Sequence, residues 1–282
     1  MSDFVQQQHT ICNFSNEESW VILSPIEQSI KQKIESVGTP LKDWDIKIYR
    51  GVLTGYNDAF IISTEKRDEI LANCQTEEER QLTAELIRPI LRGRDIKRYG
   101  YDWANLWLIN THNGIKGVKP RIDINDYPAV KAHLDQYWDK ISKRADKGDT
   151  PYNLRNCAYL DDFLLPKLIY PETTQGAFFA YDETGLFLDK TCFMMISKHA
   201  RYLQATLSSQ LFEFAYKRIF SSVELGQHGF QYNKHALIKL PVKKFNESDS
   251  VAYSDEFFYN CYGITNEEIE YIVGAIQSLQ NQ

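Results

Sequence analysis

The chain has 282 residues, 43% hydrophobic and 25% charged, with a net charge of −6. No apolar run approaches the ~18 residues a membrane span needs, and the apolar content is too high for disorder, so both classes are excluded. The acidity argues against a nucleic-acid partner only until its distribution is considered. Asn246 to Gln282 carry seven carboxylates and no Lys or Arg, whereas Leu86 to Arg121 hold eight cations (Arg88, Arg92, Arg94, Lys97, Arg98, Lys116, Lys119, Arg121) against Asp95 and Asp102.

In chain order, Ser24-Pro25-Ile26-Glu27 is a capping box with proline at the first helical position. Ile26, Ile30, Ile34 and Val37 continue it at helical spacing to Gly38. Period-two patterning from Trp44 to Arg50 and a second run at Ala59-Phe60-Ile61-Ile62 predict two strands around a loop whose Gly51 and Gly55 serve turn geometry. Thr76 to Arg88 reads as a helix ended by Pro89, Leu106 to Ile109 as a strand, and Tyr127 to Ile141 as an amphipathic helix. Strands follow at Lys167–Tyr170, Ala177–Tyr181, Leu186–Leu188 and Cys192–Ile196, with the turn signals of a meander. His199 to Phe220 and Thr265 to Leu279 are the last helices expected. The class is α+β, an antiparallel or mixed sheet with flanking helices. The expected division is a linker and helix at 1–45, a central domain at 46–245 and an acidic helical segment at 246–282.

Five scattered cysteines (Cys12, Cys74, Cys157, Cys192, Cys261), no CxxC and no basic, apolar leader predict a reducing, cytoplasmic setting. There is no glycine-rich phosphate loop, no HExxH, no GxSxG and no Cys/His cluster with metal spacing, so no cofactor, metal or catalytic residue is assigned. The one carboxylate-plus-lysine arrangement, Asp161 and Asp162 with Lys167, leaves a metal-dependent nuclease open as an alternative, although Phe163 to Pro166 between them reads as buried chain.

Two blocks carry a family resemblance. Ile48-Tyr49-Arg50-Gly51-Val52-Leu53-Thr54-Gly55-Tyr56-Asn57-Asp58-Ala59-Phe60, followed by Ile87-Arg88-Pro89-Ile90-Leu91-Arg92-Gly93-Arg94-Asp95-Ile96-Lys97-Arg98-Tyr99, resembles the C-terminal specificity region of TaqI-type adenine methyltransferases and type IIG restriction-modification enzymes. Tyr127-Pro128, the Arg144 to Arg155 loop, Pro166 to Pro171 and Leu207 to Leu211 extend the likeness, which runs from about Trp20 to Pro241. Ser208 stands where that family often has Asn. The resemblance implies a target-recognition domain that reads double-stranded DNA for a methyltransferase or endonuclease domain absent from this chain. S-adenosylmethionine and Mg are then expected only in those domains. The family's Asn-Pro-Pro-Tyr motif is lacking; the nearest string is Asp149-Thr150-Pro151-Tyr152. The chain is thus expected to be a fragment or a separate specificity subunit with no reaction of its own. A scaffold that binds only a methyltransferase subunit remains a further alternative.

Guanidinium groups grip phosphate and the guanine edge bidentately, which makes Arg92, Arg94 and Arg98, with Lys97, the first DNA-binding candidates. Pairing of Arg92 or Arg94 with Asp95 to fix a loop is the competing reading. The polar loop from Lys143 to Arg155 supplies the second set: Lys143, Arg144, Lys147, Tyr152, Asn153 and Arg155. A third loop, Gly226 to Tyr232, offers Gln227, His228 and Gln231.

Overall fold

The computed structural model describes residues 23–221, 224–225, 229–245 and 253–280. They form two compact units. One is built from the described residues up to Ile46, from Glu172–Phe179 and from Ser197 onward; the other comprises Lys47–Pro171 and Ala180–Ile196. The stretch 46–245, expected as one domain, is therefore divided between them.

In the first unit the capping box of Ser24 and Glu27 forms, and the helix Pro25–Val37 buries Ile30 and Ile34 completely. It stops at Gly38, whose position lies so close to the Pro241 carbonyl that a Cβ would meet it at 2.4 Å. Strand Thr39–Pro40 pairs antiparallel with Pro241–Val242, and Gly229–Gln231 lies between Glu224–Leu225 and Thr173–Thr174. The single helix expected from His199 to Phe220 is three pieces: Ala200–Ser208, Gln210–Ala215 and a π-turn, Tyr216–Phe220. Ser209 makes the first break. Its backbone is extended, its hydroxyl donates to the Thr206 carbonyl at 2.6 Å and accepts from Phe212 N–H at 3.3 Å, so one side chain ends a helix and caps the next.

The last helix, Asn266–Gln280, starts at the predicted Thr265 box, and a short helix at Asp255–Cys261 precedes it. The Glu268 carboxylate accepts from Thr265 N–H at 2.7 Å, Ser29 hydroxyl at 2.7 Å and Lys33 ammonium at 2.6 Å, tying this helix to Pro25–Val37. Burial alone raises its pKa, but Lys33 and the other donors outweigh that and hold it below the usual 4.5. A depressed carboxylate stabilises the fold above its unfolded pKa and loses that contribution as the pH falls through the folded one. Glu268→Gln is expected to lower stability by about 1–2 kcal/mol at pH 7. Urea titrations of the two proteins should converge in acid below pH 4.5.

The second unit holds two four-stranded sheets. In one, the fully buried strand Lys167–Pro171 runs antiparallel to Ala180–Asp182 and to Cys192–Ile196, and the latter pairs with Lys47–Arg50. The other has the order Phe187–Leu188, Ile87–Leu91, Leu106–Ile109, Ile61–Ser63, with the first pair parallel. The sheets are mixed and antiparallel as expected, but the meander is interrupted, because Phe187–Leu188 leaves its sequence neighbours for Ile90 and Leu91. Ala177 to Phe179 is not strand. The run at Ala59 is also corrected: Asn57–Phe60 is a helical turn with Ala59 and Phe60 wholly buried, and the strand is Ile61–Ser63. The helix after Thr76 ends at Leu86, since Ile87 to Leu91 is needed as a sheet strand. The Tyr127 to Ile141 helix divides into Pro128–Asp135 and Trp138–Ile141 where Tyr137 departs from helical geometry (φ −107, ψ 12). Gly51 is required by proximity, since a Cβ there would lie 1.9 Å from the Asp189 carbonyl oxygen. Gly55 is required by its φ of 70.

Candidate nucleic-acid interface

The first two sets of predicted site residues fall in the second unit, in two groups, whereas Gln231 of the third loop lies on the strand Gly229–Gln231 of the first unit. The first follows strand Ile87–Leu91. Arg92 donates through Nε (3.0 Å) and Nη2 (2.9 Å) to the two carboxylate oxygens of Asp95, which also accepts from the Arg92 N–H at 2.9 Å. Asp95 is buried, and this pairing raises the Arg92 pKa. Arg92 thus acts as a brace for the turn Gly93–Asp95, which is the loop-fixing alternative raised by the sequence. The turn feeds a ribbon, Ile96–Lys97 paired with Gly100–Tyr101, closed at its base by Asp102 N–H donating to Asp95 O at 2.8 Å. Arg94 and Lys97 are exposed, with the Lys97 ammonium 2.9 Å from the Arg94 carbonyl; Arg98 is half-buried, its guanidinium 5.7 Å from the Tyr99 ring centroid.

The second group is the 143–155 loop, and here two candidates are corrected. Arg144 is 7% exposed and lies 4.4 Å from the Phe60 ring centroid. Its Nη1 donates to the carbonyls of Thr54 and Asp146, and its Nη2 to those of Pro151 (3.0 Å) and Asn153 (2.6 Å). Asn153 is 1% exposed, with its amide donating to Ile122 O at 2.9 Å and its carbonyl accepting from Thr150 Oγ1 at 2.6 Å. A loop of this length carries many backbone carbonyls, and one enclosed guanidinium bonds to three of them and to that of Thr54. Arg144 and Asn153 therefore shape the loop from inside and are not available to read base edges. Burial pushes the Arg144 pKa down to about 10 against the opposing pull of Asp146, which leaves it cationic at neutral pH.

The remaining loop candidates are at the surface. Lys143 is exposed, Lys147 is exposed with its ammonium on Ser142 O (2.7 Å), and Arg155 pairs with Asp146 at 3.0 Å. Tyr152 is half-buried, donates to Asp135 at 2.6 Å and has the Lys131 ammonium 5.4 Å from its ring centroid. Exposed pairs such as these are weak and exchange readily for a phosphate. Residues Gln227 and His228 of the third candidate loop lie outside the described residues.

The structure adds residues the sequence did not single out. Asn113 accepts from Asp149 N–H at 2.8 Å and donates to Asn156 at 2.5 Å, which locks the 143–155 loop to a turn at Gly114–Pro120. Between them lies an open cleft of about 740 Å³ lined by Lys116, Lys119, Arg121, Asp149, Asn156 and Cys157. Lys116 is exposed, Lys119 pairs with Asp161 at 2.5 Å and Arg121 with Asp149 at 3.6 Å. The only sequence signal for these cations is the charge bias of residues 86–121, because their convergence on another loop depends on long-range contacts. Next to Asn113 in sequence, His112 accepts from Gly114 N–H at 3.1 Å, and burial foremost, with Lys119, lowers its pKa. Burial raises the Cys157 thiol to about 11. The cleft therefore presents cations, amides and the Asp149 carboxylate, with no thiolate from Cys157 at neutral pH.

The acidic and basic residues of the nuclease alternative are not brought together. Lys167 is fully buried, its ammonium 2.5 Å from Asp182 and 2.6 Å from Phe163 O, while Asp161 is exposed on Lys119. No group of three or more His, Cys, Asp or Glu among the described residues is placed to hold a metal.

This is a mixed-sheet α+β chain whose exposed cations gather on a braced ribbon and on an interlocked pair of loops, a distribution of positive charge suited to a polyanion. Residues 88–242 match the model of the TaqI-like C-terminal specificity domain, and the chain belongs to that family. The Type II methyltransferase M.PaeR7I of Pseudomonas aeruginosa is 24% identical over 197 residues, covering 68% of this chain and 32% of that protein. Among solved structures, the type IIL restriction-modification enzyme MmeI in complex with DNA matches with a TM-score of 0.56 at 13% identity, over 86% of this chain and 37% of MmeI. The type IIG restriction endonuclease BpuSI matches with a TM-score of 0.53 at 14% identity, over 92% of this chain and 33% of that one. These two share the fold. The chain spans about a third of the length of each relative. Among the described residues no helix is long and apolar enough to cross a membrane.

Proposed function

We propose that this chain is the double-stranded-DNA-reading part of a restriction-modification enzyme, performs no reaction itself, and positions DNA for a methyltransferase or endonuclease domain outside it. S-adenosylmethionine and Mg then belong to those catalytic domains. The observation that carries the reading is the ribbon at residues 96–101: Arg92, paired with the buried Asp95, braces a two-stranded β-ribbon with Lys97 exposed on it and Arg94 exposed beside it. A β-ribbon fits the major groove, and cations beside it meet phosphates. The family's description as a specificity domain and the DNA-bound state of MmeI support the same reading.

The test is retention of a random-sequence duplex pool on the purified chain at two salt concentrations, with the retained DNA sequenced. Wild type is expected to enrich a motif. Arg94→Gln with Lys97→Gln should weaken retention about tenfold at low salt and reduce the salt slope by about two. No retention at low salt would leave the scaffold reading, and cleavage of the pool on addition of Mg would restore the nuclease.

A further inference from the structure

Among the described residues two non-glycines have a positive φ: Asn105, a type that tolerates it, and Tyr99, at φ 71. Tyr99 forms, with Arg98, the two-residue loop of the ribbon in which Ile96 pairs with Tyr101 and Lys97 with Gly100. A negative φ at the first loop position and a positive one at the second is the pattern of a type II turn, which favours Gly or Asn at the second position. The chain has a glycine one residue later, at Gly100, where φ is not positive and a Cβ would meet nothing within 4 Å. A bulky side chain thus occupies the strained position next to an unstrained glycine. The ring stands largely outside the fold: Tyr99 is 60% exposed, whereas Ile96 at the ribbon's foot is 1% exposed. An exposed aromatic at a strained position on a hairpin tip is placed for a contact outside the chain.

The surroundings state what that contact is. Arg98 lies 5.7 Å from the ring centroid, and Arg94 and Lys97 are exposed on the same short segment. Cations at the sides of a narrow ribbon suit phosphates, and an aromatic ring at its tip suits the base edges that a groove presents, the thymine methyl among them. We infer that Tyr99 is a base-contacting specificity residue: the ribbon enters a groove of duplex DNA and its tip ring packs against the bases. The inference rests on the DNA-reading function proposed above.

Tyr99→Gly separates the ring from the fold, because glycine suits the backbone at that position. Its thermal midpoint should equal or exceed that of wild type. Its affinity for the duplex enriched by wild type should fall about tenfold, with the salt slope unchanged because no phosphate contact is lost, and the pool it retains should lose preference at one or two positions. Tyr99→Phe should bind as wild type. Equal binding and an unchanged motif for Tyr99→Gly would overturn the inference while leaving the DNA-reading function intact. So would a loss accompanied by a salt slope lower by about one, which would make the ring only a support for Arg98. A wild-type chain that retains no DNA would instead remove the function and this inference with it.

Discussion

Arg144→Met is expected to lower stability by about 3–5 kcal/mol, more than any surface cation of the same loop. The carbonyls of Thr54, Asp146, Pro151 and Asn153 converge on its two terminal nitrogens, and the guanidinium carbon lies 4.4 Å from the Phe60 ring centroid. Removing it withdraws a donor from all four carbonyls, of which that of Asn153 keeps its bond from Gly148 N–H at 2.9 Å, and methionine fills the volume without offering a donor. Arg144→Lys should recover less than half of the loss, because an ammonium is a point donor that cannot span two pairs of carbonyls. Chemical denaturation midpoints measure both. Lys143→Gln and Lys147→Gln, at exposed positions, should leave the midpoint within about 0.5 kcal/mol. The 143–155 loop should also lose protection from proteolysis in Arg144→Met alone, since its conformation is wound around that side chain.

Lys167→Met is expected to cost a similar ~3–5 kcal/mol. The ammonium and the Asp182 carboxylate are both fully enclosed, 2.5 Å apart. Asp182 also accepts from Thr184 N–H, Thr184 Oγ1 and Leu186 N–H, which anchors the turn after strand Ala180–Asp182. Burial lowers the Lys167 pKa and Asp182 opposes it, so the pair persists because each charge compensates the other. Methionine leaves the carboxylate with its three neutral donors and no counter-charge. In that background Asp182→Asn should be far less costly than in wild type, and a double-mutant cycle in urea should return a coupling of about 1–3 kcal/mol. A lysine enclosed in this way has no access to a phosphodiester, so any DNA cleavage by the chain would have to come from other residues.

The parts of the fold legible in the sequence were those set within one turn of chain. Ser24 with Glu27 and Thr265 with Glu268 mark helix starts because a cap bonds to backbone three residues away. Arg92 and Asp95 stand at the same spacing, so their pairing could be raised as an alternative, though not decided, from sequence. The family was legible for a related reason, since its two blocks are contiguous runs from Ile48 to Phe60 and from Ile87 to Tyr99. Helix continuity across Ser209 was misjudged because apolar spacing persists on both sides, while the break depends on one hydroxyl choosing local backbone partners.

Composition and local pattern by themselves determined the α+β class and the basic bias of residues 86–121, and two contiguous blocks carried the family resemblance. Tertiary structure alone decided which cations face outward. Arg144 and Lys143 are adjacent and chemically alike in sequence, yet one is enclosed by carbonyls from residues as distant as Thr54 and the other is exposed. It also decided that Phe187–Leu188 pairs in parallel with Ile90–Leu91, and that the turn at Gly114–Pro120 meets the 143–155 loop. The reason is physical: a charge goes where its hydrogen-bond partners and its desolvation cost balance, and those partners come from chain segments whose approach no local pattern encodes.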